Sequence, residues 1–506
     1  MTKTPQNVVI AGRDVAAWLT ACALARAFAA TGLRIEVVEL PGLLRAQDAL
    51  ASLPQLEVFH GLLGLDEKEL LKQTQGVYSL GQSFANFSGP RPPFFHPYGD
   101  HGVALGASSF AQIWFKARQA GLKVDFEDFS PNAAAAKAGR FFVGGETARA
   151  FGRCNYAYHL HGQAYVQALK ALALRMGVKV TPARGFDAVL DPDSGLIRAL
   201  ALSDGRQVAG DFFIDATGGD SRLLGQAMQG AFIDWSRWLP MNRTLSAGGD
   251  RLRVLPAYSQ VRALEAGCLH MTALQTMTGV THAYSADWLS DEQALEALNV
   301  TAGIGLSGDA TLSVRAPGRR EHLWLGNCVA IGEAGCVLDP IDNPDLHILQ
   351  IGLSHLIALF PLAVEGGVEA AQYNRLVGGA YERLRDYQIA HYGLNRQNHP
   401  FWDALRDVAP PDSLAAKLDL YKARGEVLLY EDETFQNDDW LSLFIGHGLM
   451  PDAWDPRIDM LPEDQLILHV QKLLGFIRDQ VQAMDSHDAY IELFAARSFA
   501  GFGSQL

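Results

Sequence analysis

The sequence has few of the features that mark nucleic-acid-binding, membrane or secreted proteins. Its 42 Lys and Arg residues are outnumbered by 56 Asp and Glu residues, and the net charge of −14 disfavours binding to nucleic acid or to an anionic membrane surface. No apolar run reaches eighteen residues, and the amino-terminal residues show no signal-peptide pattern. We therefore expect a cytoplasmic protein with neither a nucleic-acid nor a membrane partner.

Cysteine is also scarce, and its pattern excludes two kinds of site. The five cysteines are odd in number and form no C-x-x-C motif, and they lie at Cys22, Cys154, Cys268, Cys328 and Cys336. Such scattered residues are typical of buried, small apolar side chains and not of a disulfide framework or a zinc site. The chain has no G-x-S-x-G motif, so nothing specific indicates a hydrolase, and we expect no metal site.

What the sequence does contain begins with residues 7–28, NVVIAGRDVAAWLTACALARAF. An apolar run, a turn at Gly12 and a helix rich in small residues are typical of the first βα unit of a dinucleotide-binding fold. The G-x-G-x-x-G positions of that fold are held by Gly12, Asp14 and Ala17. Asp14 adds a side chain and a negative charge where a pyrophosphate would meet the helix amino terminus. Alternatively, Asp14 could cap that helix.

Three further segments complete the predicted dinucleotide-type α/β body. Residues 34–40 form a strand that ends in Glu39, an acid suited to accept hydrogen bonds from ribose hydroxyls. Residues 211–226 and 327–362 each contain a strand followed by a glycine turn, and the second of these turns holds Gly332 and Gly335. We therefore assign the cofactor-binding elements to residues 7–40, 211–226 and 327–362.

The remaining segments predict two additions to this body. Patterns of short strands indicate a β-rich layer over about residues 95–110 and 232–325, within an α/β body spanning residues 1–368. Helical periodicity predominates in residues 369–506, which predicts a helical carboxy-terminal part. At 506 residues, a body of two parts is the expectation.

Four segments give the chain its resemblance to a known family. They are NCVAIGEAGCVLDPIDNPDLHILQIGL (327–353), FIDATGGDSRLLGQ (213–226), YSADWLSDEQAL (284–295) and LFIGHGLMPDAWDPRIDMLP (443–462). In this order they resemble the flavin-dependent tryptophan halogenases over nearly the whole chain. The resemblance implies a flavin-monooxygenase body that binds FAD. It also implies an activity in which reduced FAD and oxygen oxidise chloride or bromide, and the hypohalous acid passes along a tunnel to a lysine beside an aromatic substrate.

Carried over residue by residue, the resemblance places the catalytic positions at Ser83 and Asp342. Ser83 takes the position of the family lysine, and a hydroxyl can neither form a haloamine nor donate from a permanent positive charge. Asp342 takes the position of the assisting glutamate and is one methylene shorter. The residues that bind halide in the family align with Pro344 and Asp345, where a carboxylate opposes an anion. The carboxylates near residue 345 could equally serve a helix amino terminus.

Other positions depart from the family or admit two interpretations. The family segment GEAT, which lies along the flavin, aligns with residues 49–52 (ALAS), and the signature W-x-W-x-I-P aligns with residues 268–273 (CLHMTA). Trp235, Trp238 and His347 are candidate substrate-pocket residues, and the alternative for each is packing in the core.

These departures lead to two hypotheses for function. The first is a pseudoenzyme that has lost FAD-dependent halogenation and binds an aromatic ligand or a protein partner, either an active halogenase paralogue or a second copy of itself. The second is an active flavin-dependent halogenase or monooxygenase on an indole or another aromatic substrate, with a non-standard site and a flavin reductase as partner. FAD uptake by the purified protein separates the two hypotheses.

Overall fold

The computed structural model describes residues 4–143, 151–364 and 367–500, with side chains described up to residue 493. The predicted ranges 1–368 and 369–506 include some residues that lie outside the described ones. These are residues 1–3, 144–150, 365–366 and 501–506. The chain forms two compact units that interleave along the sequence. Unit 1 comprises residues 1–75, 160–244 and 312–383, and unit 2 comprises residues 76–159, 245–311 and 384–506. The division predicted at residue 368 is a different partition and stays a prediction.

The strands, in chain order, are β1 (Asn7–Gly12), β2 (Arg34–Glu39), β3 (Ala49–Ala51), β4 (Val77–Ser79), β5 (Gly81–Ala85), β6 (Phe94–Pro97), β7 (Ala157–His161), β8 (Lys179–Pro182), β9 (Phe186–Leu190), β10 (Ile197–Leu202), β11 (Gln207–Ala209), β12 (Phe212–Ala216), β13 (Phe232–Asp234), β14 (Arg243–Asp250), β15 (Ser259–Leu264), β16 (Gly267–Ala273), β17 (Met277–Tyr284), β18 (Leu306–Val314), β19 (Gly318–Arg320), β20 (Trp324–Leu325), β21 (Cys328–Ala330) and β22 (Cys336–Val337).

The α-helices are α1 (Asp14–Ala27), α2 (Gln55–Leu63), α3 (Glu67–Gln73), α4 (Phe110–Gln119), α5 (Pro131–Lys137), α6 (Gly162–Arg175), α7 (Asp291–Thr301), α8 (Asp345–Ala358), α9 (Val368–Gly393), α10 (Pro400–Arg406), α11 (Asp412–Arg424), α12 (Asn437–Gly446), α13 (Glu463–Ala483) and α14 (His487–Ala500).

Unit 1 is built on a six-stranded sheet in the order β20-β21-β12-β1-β2-β8. The pairs β1–β2, β1–β12, β12–β21 and β2–β8 are parallel, and only β20 runs antiparallel to its neighbour within this sheet. Strands β1 and β12 are almost entirely buried, as expected for parallel strands covered on both faces. This sheet confirms the dinucleotide-type α/β class predicted from the sequence.

The order of the strands brings three glycine turns to one edge of this sheet. Strands β1, β12 and β21 are adjacent and parallel, and each is followed at its carboxyl end by one of the predicted turns. In open α/β sheets ligands bind outside the carboxyl ends of the strands. The turns at residues 12, 218 and 332 are therefore in position to form a single site.

Unit 2 is built on a seven-stranded sheet in the order β18-β14-β17-β16-β15-β5-β6. Residues 76–87 contain two strands, β4 and β5, which are separated at Leu80. The amide of Leu80 donates to the carbonyl of Ala257, and its carbonyl accepts from the amide of Tyr98, so both groups bond outside β4 and β5. These partners are distant in the chain, so the local sequence pattern does not show the break.

The carboxy-terminal region confirms the predicted helical part, since α9 to α14 account for most of residues 368–500. All five cysteines are buried with free thiols, which confirms their assignment as small core residues. None of the helices within the described ranges combines the length and the apolar character that a membrane span requires.

Candidate functional site

The first glycine turn joins β1 to α1 and has no room for a side chain. A Cβ atom at Gly12 would lie 2.4 Å from the carbonyl oxygen of Ala216 at the end of β12. Ala17 is fully buried and lies on the first turns of α1, where a larger side chain would separate helix and sheet. The first and third positions of the G-x-G-x-x-G pattern therefore have no room for a larger side chain.

Asp14, at the second position, keeps the backbone conformation of the glycine it replaces. Its φ is +51°, a left-handed conformation that L-residues adopt at a cost and that Asp tolerates better than most. The carboxylate does not cap its own helix. Its Oδ2 accepts a hydrogen bond from the amide of Leu43, 2.7 Å away, and a Cβ on Gly42 would lie 2.6 Å from its Oδ1. The side chain is therefore fixed against the segment that follows β2.

Glu39 ends β2 directly beside this turn, in register with Gly12. The amide of Leu40 donates to the carbonyl of Gly12 at 2.8 Å, which fixes the strand end. Both carboxylate oxygens of Glu39 accept hydrogen bonds from the ammonium of Lys170 in α6, at 2.7 and 2.8 Å. Lys170 also lies 5.0 Å from the ring centre of Trp18. Glu39 is thus partly neutralised by Lys170, and its contact with a ribose stays a prediction.

The second glycine turn is organised by Asp215, the last polar residue of β12. Its carboxylate accepts hydrogen bonds from the hydroxyl of Thr217 at 2.7 Å and from the amides of Leu223 and Leu224 at 2.9 Å each. These hydrogen bonds lower the pKa of Asp215, but burial outweighs them and raises it. The residue is a structural anchor for the turn, a role that a strand-end acid does not reveal in sequence.

The third turn contains Gly332 and Gly335, as predicted. Gly332 has a φ of +63°, and a Cβ there would lie 2.5 Å from a methyl group of Leu349 in α8. The amide of Gly335 donates to the carbonyl of Gly332 at 2.9 Å, which closes the turn. The left-handed backbone favours glycine at residue 332, and a contact of either glycine with a cofactor stays a prediction.

The backbone of these turns has the shape that a dinucleotide such as FAD requires. The negative charge of Asp14 is the feature that would oppose the phosphates of FAD. The tight turn at Gly12, the amino terminus of α1 and the acid Glu39 are the parts that hold a dinucleotide in such folds. Asp14 adds a negative charge at the second position of the pattern, where such folds bring phosphates close to the backbone. Its effect on FAD binding stays a prediction.

An ion cluster joins the third turn to the start of α8. Arg315 lies 3.0 Å from the carboxylate of Glu333 and 3.1 Å from that of Asp345; its side chain is 13% exposed, whereas those of Glu333 and Asp345 are 42% and 45% exposed. Burial lowers the pKa of Arg315, but Asp345 and Glu333 outweigh that effect and raise it. Asp345, which aligns with a halide-binding position of the family, is thus an exposed acid paired with a mostly buried cation.

Glu333 shows that the first and third turns share one electrostatic environment. Arg315 lowers the pKa of Glu333, but burial and the carboxylates of Asp345 and Asp14 together raise it above its usual value. The carboxylates of Asp14 and Asp345 therefore both act on Glu333.

Asp342 is buried and has a φ of +66°, and the following Asn343 has a φ of +53°. These consecutive left-handed residues form the sharp turn before α8. His347, in the first turns of α8, is buried, and burial lowers its pKa to about 4. It is a neutral imidazole at pH 7, with Nδ1 3.5 Å from the side-chain oxygen of Gln350.

The two candidate tryptophans lie in unit 1 and are well packed. Trp235 is buried, and its amide donates to the carbonyl of Pro317 at 3.0 Å. Trp238 is also buried, with the guanidinium of Arg237 3.6 Å from its ring centre. These contacts fit the packing alternative, and a substrate role for either residue stays a prediction.

Ser83 lies in unit 2, in the middle of β5. It is half-buried and stands in register between Gln260 of β15 and Phe95 of β6. No lysine occupies a register position beside it in these two pairings. The structure brings the three glycine turns and Glu39 together at one edge of the unit 1 sheet, whereas Ser83 belongs to a different unit.

Sequence reasoning missed Lys170 and Arg315, the two cations that neutralise the site's acids. Each lies far along the chain from its partner, 131 residues in the case of Lys170 and Glu39. Neither Lys170 nor Arg315 belongs to a motif. The sequence indicated only that the predicted acids require some cations nearby. A single sequence does not show which cations these are.

Comparisons with known proteins agree with this geometry. The sequence profile described as "Tryptophan halogenase" matches residues 7–463. A tryptophan 6-halogenase of Streptomyces albogriseolus is 27% identical over 499 residues, covering 90% of this chain and 92% of the relative. A tryptophan 7-halogenase of Kutzneria sp. (strain 744) is 26% identical over 498 residues, with the same coverage of both chains.

Solved structures give the same result over the whole fold. BrvH, a flavin-dependent halogenase from Brevundimonas sp. BAL3, superposes with a TM-score of 0.92 at 31% identity, covering 97% of this chain and 99% of its own. A flavin-dependent halogenase from Xanthomonas campestris superposes with a TM-score of 0.93 at 28% identity and the same coverage.

Proposed function

The chain belongs to the tryptophan halogenase family, and on this basis we propose that it is a flavin-dependent oxidoreductase that acts on an indole or another aromatic compound. Its relatives are flavin-dependent halogenases along almost their entire length. This reverses the order of the two hypotheses drawn from the sequence, because the relatives favour an active enzyme and none of them indicates a loss of activity.

One structural observation carries the proposal: three glycine turns follow adjacent parallel strands at the sheet edge where such folds bind dinucleotides. A Cβ at Gly12 would clash with the carbonyl of Ala216, and Gly332 has a φ of +63°. Glu39 stands in register with Gly12 at the same sheet edge.

The roles of the chain's own residues follow from their geometry. Gly12 and the amino terminus of α1 would hold the phosphates of FAD, and Glu39 would hold a ribose. FAD, when bound and reduced, supplies the oxidising equivalents through its reaction with oxygen. Asp14 weakens FAD binding by charge repulsion, so we expect a cofactor that exchanges readily.

The substrate step differs from the family's pattern because Ser83 offers no amine. A reaction in this chain would therefore proceed without a lysine-bound halogen. We accordingly expect oxygen transfer to an aromatic ring to compete with halogen transfer. The mass of the product separates the two outcomes.

Flavin-free protein titrated with FAD, followed by absorbance and flavin fluorescence, tests the first half of the proposal. Saturable uptake supports it, and an absence of uptake at millimolar FAD overturns it. The second half is tested with a flavin reductase, oxygen, bromide and a panel of indoles, with products analysed by mass spectrometry. FAD uptake without any flavin-dependent product would refute the catalytic part alone.

The second candidate is a binding homologue without catalysis, and the Arg315–Asp345 pair favours it specifically. An internal cation satisfies the acid at the halide position, so the position no longer needs a ligand. Such a protein would bind an aromatic ligand or an active halogenase. If FAD uptake is absent, mixing the chain with an active halogenase and measuring complex mass by light scattering tests this candidate.

A further inference from the structure

The side chain of Arg13 extends from the first glycine turn to the second. Arg13 directly precedes α1, and its backbone is fixed there by two hydrogen bonds. Its amide donates to the carbonyl of Ala216 at 3.3 Å, and its carbonyl accepts from the amide of Ala17 at 3.2 Å. Its Nη2 lies 3.5 Å from the carboxylate of Asp220 in the second turn. The guanidinium therefore joins two of the three turns within unit 1.

This guanidinium is mostly buried, but its donors are incompletely used. The side chain of Arg13 is 13% exposed, and its Nε is buried without a hydrogen-bond partner among the described residues. A guanidinium has five N–H donors, and a buried donor without an acceptor costs free energy. The free protein thus keeps a cation at this edge of the sheet with a donor that lacks an acceptor.

The contact between Arg13 and Asp220 leaves most of the positive charge available. The side chain of Asp220 is 53% exposed, and an ion pair with so exposed an acid contributes little. Asp220 is also shared, because Nε of Arg222 lies 3.8 Å from the same carboxylate oxygen. Two guanidiniums thus face one carboxylate, so these three groups carry a net charge of +1.

The two other cations placed at this edge of the sheet are committed to acids. Lys170 donates to both carboxylate oxygens of Glu39. Arg315 lies within 3.1 Å of two different carboxylates. Arg13 is therefore the cation of these turns that can take a new anionic partner without leaving a buried acid unpaired.

The second turn leaves room for such a partner. A Cβ at Gly219, beside Asp220, would meet no heavy atom of the described chain within 4 Å, whereas the first turn is closed at Gly12. An anion at the carboxyl ends of β1 and β12 could therefore reach Arg13 without displacing the backbone of the second turn.

We propose that Arg13 binds the pyrophosphate of a dinucleotide and thereby offsets the negative charge that Asp14 adds to the cradle. This inference rests on the proposed function and names the residue that makes Asp14 compatible with it. A guanidinium donates two parallel hydrogen bonds to phosphate oxygens, and such charge-assisted pairs are strong. On binding, Arg13 exchanges its 3.5 Å contact with Asp220 for the phosphate.

The test measures the Kd values of FAD and NAD⁺ for the flavin-free full-length protein, because both ligands contain the same pyrophosphate. Flavin fluorescence follows FAD, and isothermal calorimetry follows NAD⁺. Arg13→Gln removes the charge and keeps a polar side chain, so it should raise the Kd of FAD roughly tenfold. Raising the salt concentration should weaken FAD binding less in this variant than in the wild type.

Arg34→Gln is the matched control. Arg34 is an exposed residue at the amino end of β2, opposite to the end that carries Glu39, and its Nε donates to the side-chain oxygen of Asn7. This substitution removes the same charge from unit 1 away from the glycine turns, so the Kd of FAD should stay unchanged.

Asp220→Asn tests the assignment in a chain that keeps Arg13, in case circular dichroism shows that Arg13→Gln does not fold. Without the competing carboxylate, Arg13 should bind FAD several-fold more tightly. Arg13→Lys keeps the charge but cannot donate two parallel hydrogen bonds, so its Kd should lie between those of the wild type and Arg13→Gln. An unchanged Kd in both Asp220→Asn and Arg13→Lys would contradict the assignment.

The outcomes separate this inference from the proposed function. Equal Kd values of FAD in the wild type and Arg13→Gln would overturn the inference and leave the proposed function standing. NAD⁺ binding that Arg13→Gln weakens, without any FAD binding, would support the role of Arg13 and refute the flavin-dependent function. Equal weakening by Arg13→Gln and Arg34→Gln would overturn the inference. Failure of the wild type to bind either dinucleotide at millimolar concentration would overturn both proposals.

Discussion

The Oδ2 of Asp14 accepts a hydrogen bond from the amide of Leu43 at 2.7 Å, so the acid at the second glycine position is fixed by the segment that follows β2. This bond links two of the elements from which a dinucleotide cradle is built. It explains how a residue with φ +51° is retained there, since the hydrogen bond offsets part of the cost of a left-handed Asp.

Removing the charge of Asp14 should increase the affinity for FAD. Asp14→Asn tolerates the left-handed backbone and keeps an acceptor for Leu43, so it changes charge alone, whereas Asp14→Gly removes both. If repulsion dominates, both variants should lower the Kd for FAD by at least about tenfold, measured by flavin fluorescence.

A lower Kd in Asp14→Gly only would assign the obstacle to the bulk of the side chain. An unchanged Kd in both would place the obstacle elsewhere, with residues 49–52 the next candidates.

Ser83 should contribute little to stability or turnover, in keeping with a strand residue without a catalytic role. We expect Ser83→Ala to change the free energy of unfolding by less than about 0.5 kcal/mol and to leave flavin-dependent product formation unchanged. Ser79→Ala is the matched control, because the buried hydroxyl of Ser79 donates to the carbonyl of Gly81 at 3.0 Å. That variant should lose about 1 kcal/mol. Loss of product formation in Ser83→Ala would give the hydroxyl a role in the reaction.

The ion pair between Lys417 and Glu433 should stabilise unit 2 strongly. The two groups are 2.7 Å apart, and their side chains are 1% and 3% exposed. Lys417 also lies 4.4 Å from the ring centre of Trp440. Lys417→Met leaves a buried carboxylate without its cation, so we expect a loss of about 3 kcal/mol in urea unfolding.

The control for this pair is Lys422→Met, which alters an exposed lysine on the same helix, α11. It should change stability by less than about 0.5 kcal/mol. Equal effects of the two substitutions would show that burial of the pair contributes nothing to stability.

Stability should decrease in mild acid because several histidines are buried in the neutral form. In His159, Nδ1 lies 3.0 Å from the carbonyl of Ala273 and Nε2 lies 2.8 Å from the hydroxyl of Ser259. Burial lowers the pKa of His159 to about 4. The unfolded chain has a pKa near 6.5 at this residue, so it binds more protons between these values and stability is lost as pH falls from about 6.5 to about 4.

This residue alone should account for about 3 kcal/mol across that window. The measurement is urea unfolding at pH 7.5, 6.0 and 5.0, with His159→Gln reducing the slope and the exposed His322→Gln leaving it unchanged. Asp439 does not titrate in this window. Burial raises its pKa, but Arg153 outweighs burial and lowers the pKa to about 2. A flat profile between pH 7.5 and 5.0 would contradict the prediction.

Much of the fold was accessible from the sequence because its signals are local. Apolar runs followed by glycine predicted β1, β12 and β21, and helical periodicity predicted the helical part after residue 369. The break between β4 and β5 has no local signal of this kind. That break depends on hydrogen bonds to residues 98 and 257, which lie outside any local window.

The sequence by itself determined that this chain has three strand–glycine turns, an acid at the second glycine position and no lysine at residue 83. These are properties of residue type and spacing, and no folding is needed to establish them. Only the tertiary structure decided where the charges act. It turned Asp14 toward Leu43, placed Lys170 on Glu39 and paired Arg315 with Glu333 and Asp345. Charges interact through distance in space, and residues 18 to 131 positions apart become neighbours only when the sheet and its helices assemble.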